Sequence, residues 1–132
     1  MGEALTIRVG RRQGYATVTV AGEIDIATVA RLRERLFELA ASGQPLIADL
    51  DQVSFIDSAG LAALVGAARR AAAHGASLHV ICARPQTRQL FRLTGLDRQI
   101  PLARTLDEAL ESAAAPGTPA SGPPEQPPAA GR

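Results

Sequence analysis

Hydrophobic and polar positions alternate along this chain with two different periods. Residues 5–9 and 15–20 alternate every second position, and residues 12–14 separate them as a tight turn does. This pattern predicts two antiparallel strands joined as a hairpin. Residues 29–40 place their apolar side chains every third or fourth position, which predicts an amphipathic helix that ends near Gly43.

The rest of the chain repeats a strand-then-helix order. Helical patterns and buried-strand runs alternate, with strands at residues 46–50, 77–82 and 100–102 and helices at 58–74, 86–94 and 105–114, and a further apolar run at 53–56 leads up to Asp57. Strands that are separated by helices favour a mostly parallel sheet. The pattern therefore predicts an α/β fold: one domain with a mixed, mostly parallel sheet of about five strands and about four helices, with the N-terminal β-hairpin at one edge.

Composition changes abruptly after Ala115. Residues 116–132 contain six of the nine prolines and no large apolar side chain. Such a segment cannot bury enough apolar surface to offset the entropy that ordering removes. We therefore predict a folded domain over residues 3–115 and a disordered C-terminal tail, rich in Pro, Gly and Ala, over residues 116–132.

Composition and charge exclude several classes of protein. A net charge of +1 and an aromatic content of 3% give no basis for binding nucleic acid or an anionic membrane. No apolar run approaches the roughly 18 residues that a membrane span needs, and the N-terminus lacks a basic leader. The single cysteine, Cys82, cannot form an internal disulfide, which is typical of a reducing compartment. These features predict a cytoplasmic protein without a direct nucleic-acid or membrane partner.

The candidate functional positions are the junctions where predicted strands lead into helices, at residues 22–25 and 57–60. Ser58 begins a predicted helix, and serine is a favoured N-cap. Free backbone N–H groups and the helix dipole suit such an end to an anion. A phosphate on Ser58 would add about −1.5 to −2 charge beside Asp57 and, if the two junctions are neighbours, Asp25. By itself, the position equally fits a serine that only caps the helix.

Three segments, taken in order, resemble the motifs of one protein family. Asp-Ser-Ala-Gly-Leu at residues 57–61 follows the apolar runs described above, Gly-Glu-Ile-Asp lies at residues 22–25, and Leu-Thr-Gly-Leu-Asp lies at residues 93–97. Together they are similar to STAS domains, specifically to anti-sigma factor antagonists. The resemblance covers about residues 4–113, which is nearly all of the predicted domain.

The resemblance implies a partner-switching function. In that family, the unphosphorylated antagonist binds an anti-sigma factor that is also a serine kinase, and the sigma factor is freed. The kinase uses ATP to phosphorylate the motif serine, here Ser58, which turns the antagonist off, and a PP2C-type phosphatase resets it. Asp25, Asp57, Ala59 and Gly60 would flank the phosphosite and contact the partner. Many relatives carry a second serine where this chain has Ala59, so Ser58 is the single acceptor candidate in the motif.

Two other functions remain open on the sequence. One is a STAS-type adaptor in a stressosome or transport complex, with Ser58 acting only as a helix cap. The other is a hydrolase with Ser58 as nucleophile, which needs a base within hydrogen-bond reach. His74 would lie about 24 Å away along the helix, nothing brings His79 to Ser58, and we expect both histidines at the surface or a sheet edge. We therefore predict no enzyme, no catalytic residue, no metal site and no cofactor.

Overall fold

A computed structural model describes residues 5–114 of the chain. The strands are β1 (Leu5–Arg12), β2 (Tyr15–Ile24), β3 (Leu46–Ile56), β4 (Leu78–Ile81) and β5 (Leu102–Ala103), and the helices are α1 (Val29–Ala41), α2 (Ser58–Ala73), α3 (Pro85–Thr94) and α4 (Leu106–Ala114), with a 3₁₀ turn at Leu96–Arg98. The predicted boundaries of the domain, residues 3 and 115, lie outside the described residues and stay predictions. The same holds for the predicted tail, residues 116–132.

The strands form one mixed sheet in the order β1-β2-β3-β4-β5. β1 pairs antiparallel with β2, and the later strands pair parallel. This confirms the predicted α/β fold with an N-terminal hairpin at one edge, where Gln13 and Gly14 adopt the positive φ angles of a tight turn. The runs predicted at 46–50 and 53–56 form one strand, β3, because it stays paired with β2 through two irregularities of register.

Helices α1 and α2 pack on the same face of the sheet and enclose the larger core. α1 buries the predicted apolar stripe, including Val29, Leu32 and Leu36. α2 buries small side chains such as Ala63 and Ala67, and their size lets the helix lie close to its neighbours. The arrangement holds α2 against the sheet, with the first turn of α2 directly following the end of β3.

Helix α4 packs on the opposite face of the sheet. Side chains of a strand point alternately to its two faces, and Ile47 and Ile81 therefore point away from the larger core. They form a second apolar cluster with Ala109 and Leu110 of α4. Within residues 5–114, α4 is the helix that contributes to this second cluster.

His79 lies within β4 and is 1% exposed, so the prediction of a surface or sheet-edge position is wrong for this residue. β4 is buried on both faces, as strands inside parallel sheets commonly are. Neither ring nitrogen of His79 has a hydrogen-bond partner among the described residues. His74, at the C-cap of α2, is exposed as predicted.

Candidate functional site

The two candidate junctions lie side by side at one end of the sheet. Ile24, the last residue of β2, pairs with Ile56, the last residue of β3. The pairing continues one step further, because the backbone N–H of Asp57 donates to the carbonyl of Ile24 at 3.1 Å. Asp25 and Asp57 thus leave adjacent strands from neighbouring positions. The structure therefore brings together the two turns whose proximity the sequence left open.

Asp57, not Ser58, is the N-cap of α2. Its extended backbone leaves β3, and its Oδ1 accepts hydrogen bonds from the backbone N–H groups of Ala59 at 2.9 Å and Gly60 at 3.1 Å. Ser58 is the first residue inside the helix, so the assignment of Ser58 as the cap is wrong. Aspartate is as good an N-cap as serine, and the N-cap is the residue whose backbone still has extended geometry.

The Ser58 hydroxyl takes no part in capping α2. Ser58 is exposed, and among the described residues no hydrogen bond to its side chain is formed, since the nearby helix donors bond to Asp57. Two of the N–H groups at the helix end, those of Ala59 and Gly60, are therefore already bonded to Asp57. A phosphate on Ser58 would stand beside the Asp57 carboxylate and point outward, rather than be held by the N–H groups of Ala59 and Gly60.

Gly60 has a structural role beneath the site. It is buried, and a Cβ atom at this position would come within 2.6 Å of Ile24 Cγ2 and 2.6 Å of Ile56 Cγ1. The missing side chain therefore allows α2 to begin directly against the ends of β2 and β3. Of the residues predicted to flank the phosphosite and contact a partner, Gly60 is covered, and Asp25, Asp57 and Ala59 are half-buried, whereas the predicted phosphosite, Ser58, is exposed.

The Asp25 turn is closed by its own hydrogen bonds. Asp25 Oδ1 accepts from the backbone N–H groups of Ala27 at 3.0 Å and Thr28 at 3.1 Å. Thr28 Oγ1 accepts from the backbone N–H of Asp25 at 3.0 Å and donates to the carbonyl of Glu23 at 2.8 Å. These bonds fix the carboxylate of Asp25 at the start of the loop between β2 and α1.

Two apolar side chains that the sequence analysis missed lie in the same region. Ile26, next to Asp25, is 80% exposed, and Phe55, two residues before Asp57, is 51% exposed. Large apolar side chains that are exposed can mark a contact surface. For Ile26, the signal in the sequence was an apolar residue within a polar turn. We call Asp25, Ile26, Phe55, Asp57 and Ser58 the Ser58 surface.

The described residues give Ser58 no catalytic partner. His79 lies within β4 on the α4 side of the sheet, and His74 lies at the opposite end of α2 from Ser58. Within residues 5–114, no group of three or more His, Cys, Asp or Glu side chains is placed to hold a metal ion. In the same part of the chain, no helix has the length and apolar character needed to cross a membrane.

The capping assignment leads to a stability prediction. Asp57→Ala should lower the free energy of unfolding by about 1 kcal/mol, because two backbone N–H groups of α2 lose their acceptor. Ser58→Ala, the matched control one residue away, should change it by less than about 0.5 kcal/mol. Urea unfolding followed by circular dichroism measures both. A larger loss for Ser58→Ala than for Asp57→Ala would contradict the assignment.

Comparison with known proteins gives consistent matches across nearly the whole described region. The family model described as STAS domain matches residues 6–109. The anti-sigma-F factor antagonist RsfB of Mycobacterium tuberculosis is 32% identical over 109 residues, 82% of this chain and 88% of that protein. The anti-sigma-B factor antagonist of Bacillus subtilis is 35% identical over 92 residues, 70% of this chain and 84% of that protein. The crystal structure of an anti-sigma factor antagonist from Mycobacterium paratuberculosis matches with a TM-score of 0.78 and 34% identity, covering 84% of this chain and 95% of that one.

Proposed function

The chain belongs to the STAS domain family, and from this premise we propose that it is an anti-sigma factor antagonist controlled by phosphorylation of Ser58. Its named relatives are anti-sigma factor antagonists. The observation that carries the proposal is the Ser58 hydroxyl, exposed on the first turn of α2 and without a hydrogen-bond partner among the described residues. We place this activity in the cytoplasm, where sigma factors act.

The unphosphorylated protein, in this proposal, binds an anti-sigma factor that is also a serine kinase and thereby frees the sigma factor. Ile26 and Phe55 supply apolar area for that contact, and burying such area contributes roughly 25 cal/mol per Å². Because Asp57 caps the helix, the kinase can reach Ser58 without opening α2. Binding and phosphoryl transfer then use the same surface.

Phosphorylation turns the contact off by changing charge. A phosphate adds about −1.5 to −2 charge and three acceptor oxygens. Here it would lie beside the half-buried carboxylate of Asp57, and the two helix N–H groups that could offset it are already bonded. Either the phosphate must be dehydrated in the complex, or its charge repels the partner. A loss of about 3 kcal/mol weakens binding roughly a hundredfold.

The outward position of Ser58 also suits the reset step. A PP2C-type phosphatase must reach the phosphate from solvent, and the exposed first turn of α2 allows this. Asp57 occupies the capping position, so the adaptor alternative can no longer give Ser58 the role of a helix cap.

Phosphosite mapping tests the proposal. The full-length chain, incubated with ATP and its cognate serine-kinase anti-sigma factor, should incorporate one phosphate, located by mass spectrometry on Ser58. Ser58→Ala should incorporate none, whereas Ser54→Ala, which removes another exposed serine at the end of β3, should be labelled like the unmodified chain. Full labelling of Ser58→Ala, or labelling abolished by Ser54→Ala, would contradict the proposal.

A further inference from the structure

His79 is a buried titratable group that the Ser58 surface does not use. Its imidazole is 1% exposed, and both ring nitrogens lack hydrogen-bond partners among the described residues. Buried polar groups nearly always have a partner, and an exception calls for a physical reason. A neutral imidazole carries one donor and one acceptor, and protonation makes both nitrogens donors. Protonation would therefore raise the free-energy cost of keeping this ring buried away from water.

His79 lies on the face of the sheet against which helix α4 packs. His79 pairs with Ile47 of β3 and shares a strand face with Ile81, and both isoleucines contact α4 through the second apolar cluster. α4 has nine residues and buries only Ala109 and Leu110. It follows β5, which is two residues long. A short helix held by few side chains is the element that separates most readily from the sheet.

The ionisable groups on the elements around His79 do not bond to it. They are Tyr15 and Glu23 on β2, Asp49 and Asp51 on β3, Arg104 after β5, and Asp107, Glu108 and Glu111 on α4. Asp49 accepts from the backbone N–H of Asp51, and Glu108 accepts from the backbone N–H of Arg104. The three acids of α4 are exposed. A proton on His79 would thus have no carboxylate partner while α4 stays docked.

We propose that protonation of His79 releases α4 from the sheet, so that the docking of this helix is a pH-sensitive device. Release lets water reach the imidazolium and uncovers the apolar side chains of Ile47 and Ile81. The device lies on the opposite face of the sheet from α1 and α2, and it does not depend on the phosphorylation of Ser58.

The direction of the pH effect follows from burial. Desolvation lowers the pKa of His79 below the ordinary histidine value of about 6.5. The docked state therefore favours the neutral ring, and docking is fully favoured above about pH 6.5. As the pH falls from there towards the lowered pKa, the equilibrium constant for opening α4 should rise about tenfold per pH unit, which corresponds to uptake of one proton.

Proton NMR and amide hydrogen exchange on the full-length chain test this inference. Between about pH 7.5 and about pH 5, protection of the α4 amides, corrected for intrinsic exchange, should fall at least about tenfold more than that of the α2 amides. The His79 ring should titrate below the ordinary histidine pKa of about 6.5, because burial lowers its pKa. A His79 ring that titrates at or above about pH 6.5 while α4 stays protected would overturn the inference.

Substitution separates the His79 ring from general acid effects. His79→Leu should make protection of α4 independent of pH over this range, because no buried group then takes up a proton. His74→Gln should keep the pH dependence of the unmodified chain. Retention of that dependence in His79→Leu would overturn the inference. If His79→Leu does not fold, the ring titration and the α4 exchange of the unmodified chain decide the question on their own.

Discussion

Ser58→Asp should weaken binding to the cognate anti-sigma factor by about a hundredfold, while Ser58→Ala should bind within about threefold of the unmodified protein. The aspartate places a second carboxylate beside Asp57, whose Oδ1 already takes the N–H groups of Ala59 and Gly60. The N–H groups of Ala59 and Gly60 are therefore not available to offset the new charge, and a partner that covers it must also remove its water. The alanine removes a hydroxyl that forms no hydrogen bond among the described residues and adds no charge.

Isothermal titration calorimetry with the purified anti-sigma factor measures this difference. Gln13→Asp is a matched control, because it adds one negative charge at an exposed position of the turn between β1 and β2, at the opposite end of β2 from the Ser58 surface. It should bind like the unmodified chain. Because an aspartate carries less charge than a phosphate, the phosphorylated chain should bind at least as weakly as Ser58→Asp. Equal binding by Ser58→Asp and Ser58→Ala would contradict the charge mechanism.

Gly60→Ala should lower the free energy of unfolding by about 2 kcal/mol. The new methyl group would come within 2.6 Å of both Ile24 Cγ2 and Ile56 Cγ1, and both isoleucines are buried at the ends of their strands. Both contacted atoms are γ carbons bonded to the branched Cβ of isoleucine, whose χ1 is stiff, so we expect α2 to shift away from the sheet. The preference of helices for alanine over glycine returns only about 1 kcal/mol.

Gly66→Ala is the control for this substitution. Gly66 also lies in α2, and its added methyl group would come within 2.8 Å of Phe37 Cζ. That atom is the far end of a half-buried side chain that can turn aside, so we expect a change within about 1 kcal/mol. Urea unfolding with an unchanged m-value measures both variants. A Gly60→Ala chain as stable as the Gly66→Ala chain would show that the first turn of α2 is not tightly packed.

The order of the elements could be predicted from the sequence because their periodicities are strong. The stripe of α1 and the alternation in β1 and β2 leave little choice of structure. β3 appears as two runs because polar residues such as Asp51 and Gln52 interrupt its pattern. Pairing with β2 nevertheless continues across the interruption. Such pairing depends on a partner strand and is not visible in a local pattern.

The errors in the site have similar physical causes. Asp57 and Ser58 are equally good capping residues, and their backbone conformations, which decide between them, are set by the exit from β3. His79 lies in a run of four residues that is buried on both faces. The continuous apolar character of that run indicates two buried faces, so the sequence did contain a signal against an exposed histidine. The exposure of Ile26 and Phe55 depends on which helices cover the strand ends, and residue patterns do not specify this.

The capping bond of Asp57 has a consequence for how natural variants of this chain are interpreted. A change at Asp57 should alter both the folded fraction of the protein and the charge beside the proposed phosphoacceptor, so a cellular phenotype at this position would combine an effect on protein abundance with an effect on signalling. A change at Ser58 leaves the capping bonds intact. Substitutions at these two adjacent positions therefore affect different properties. A deep mutational scan that measures protein abundance and sigma-factor output separately would distinguish the two effects.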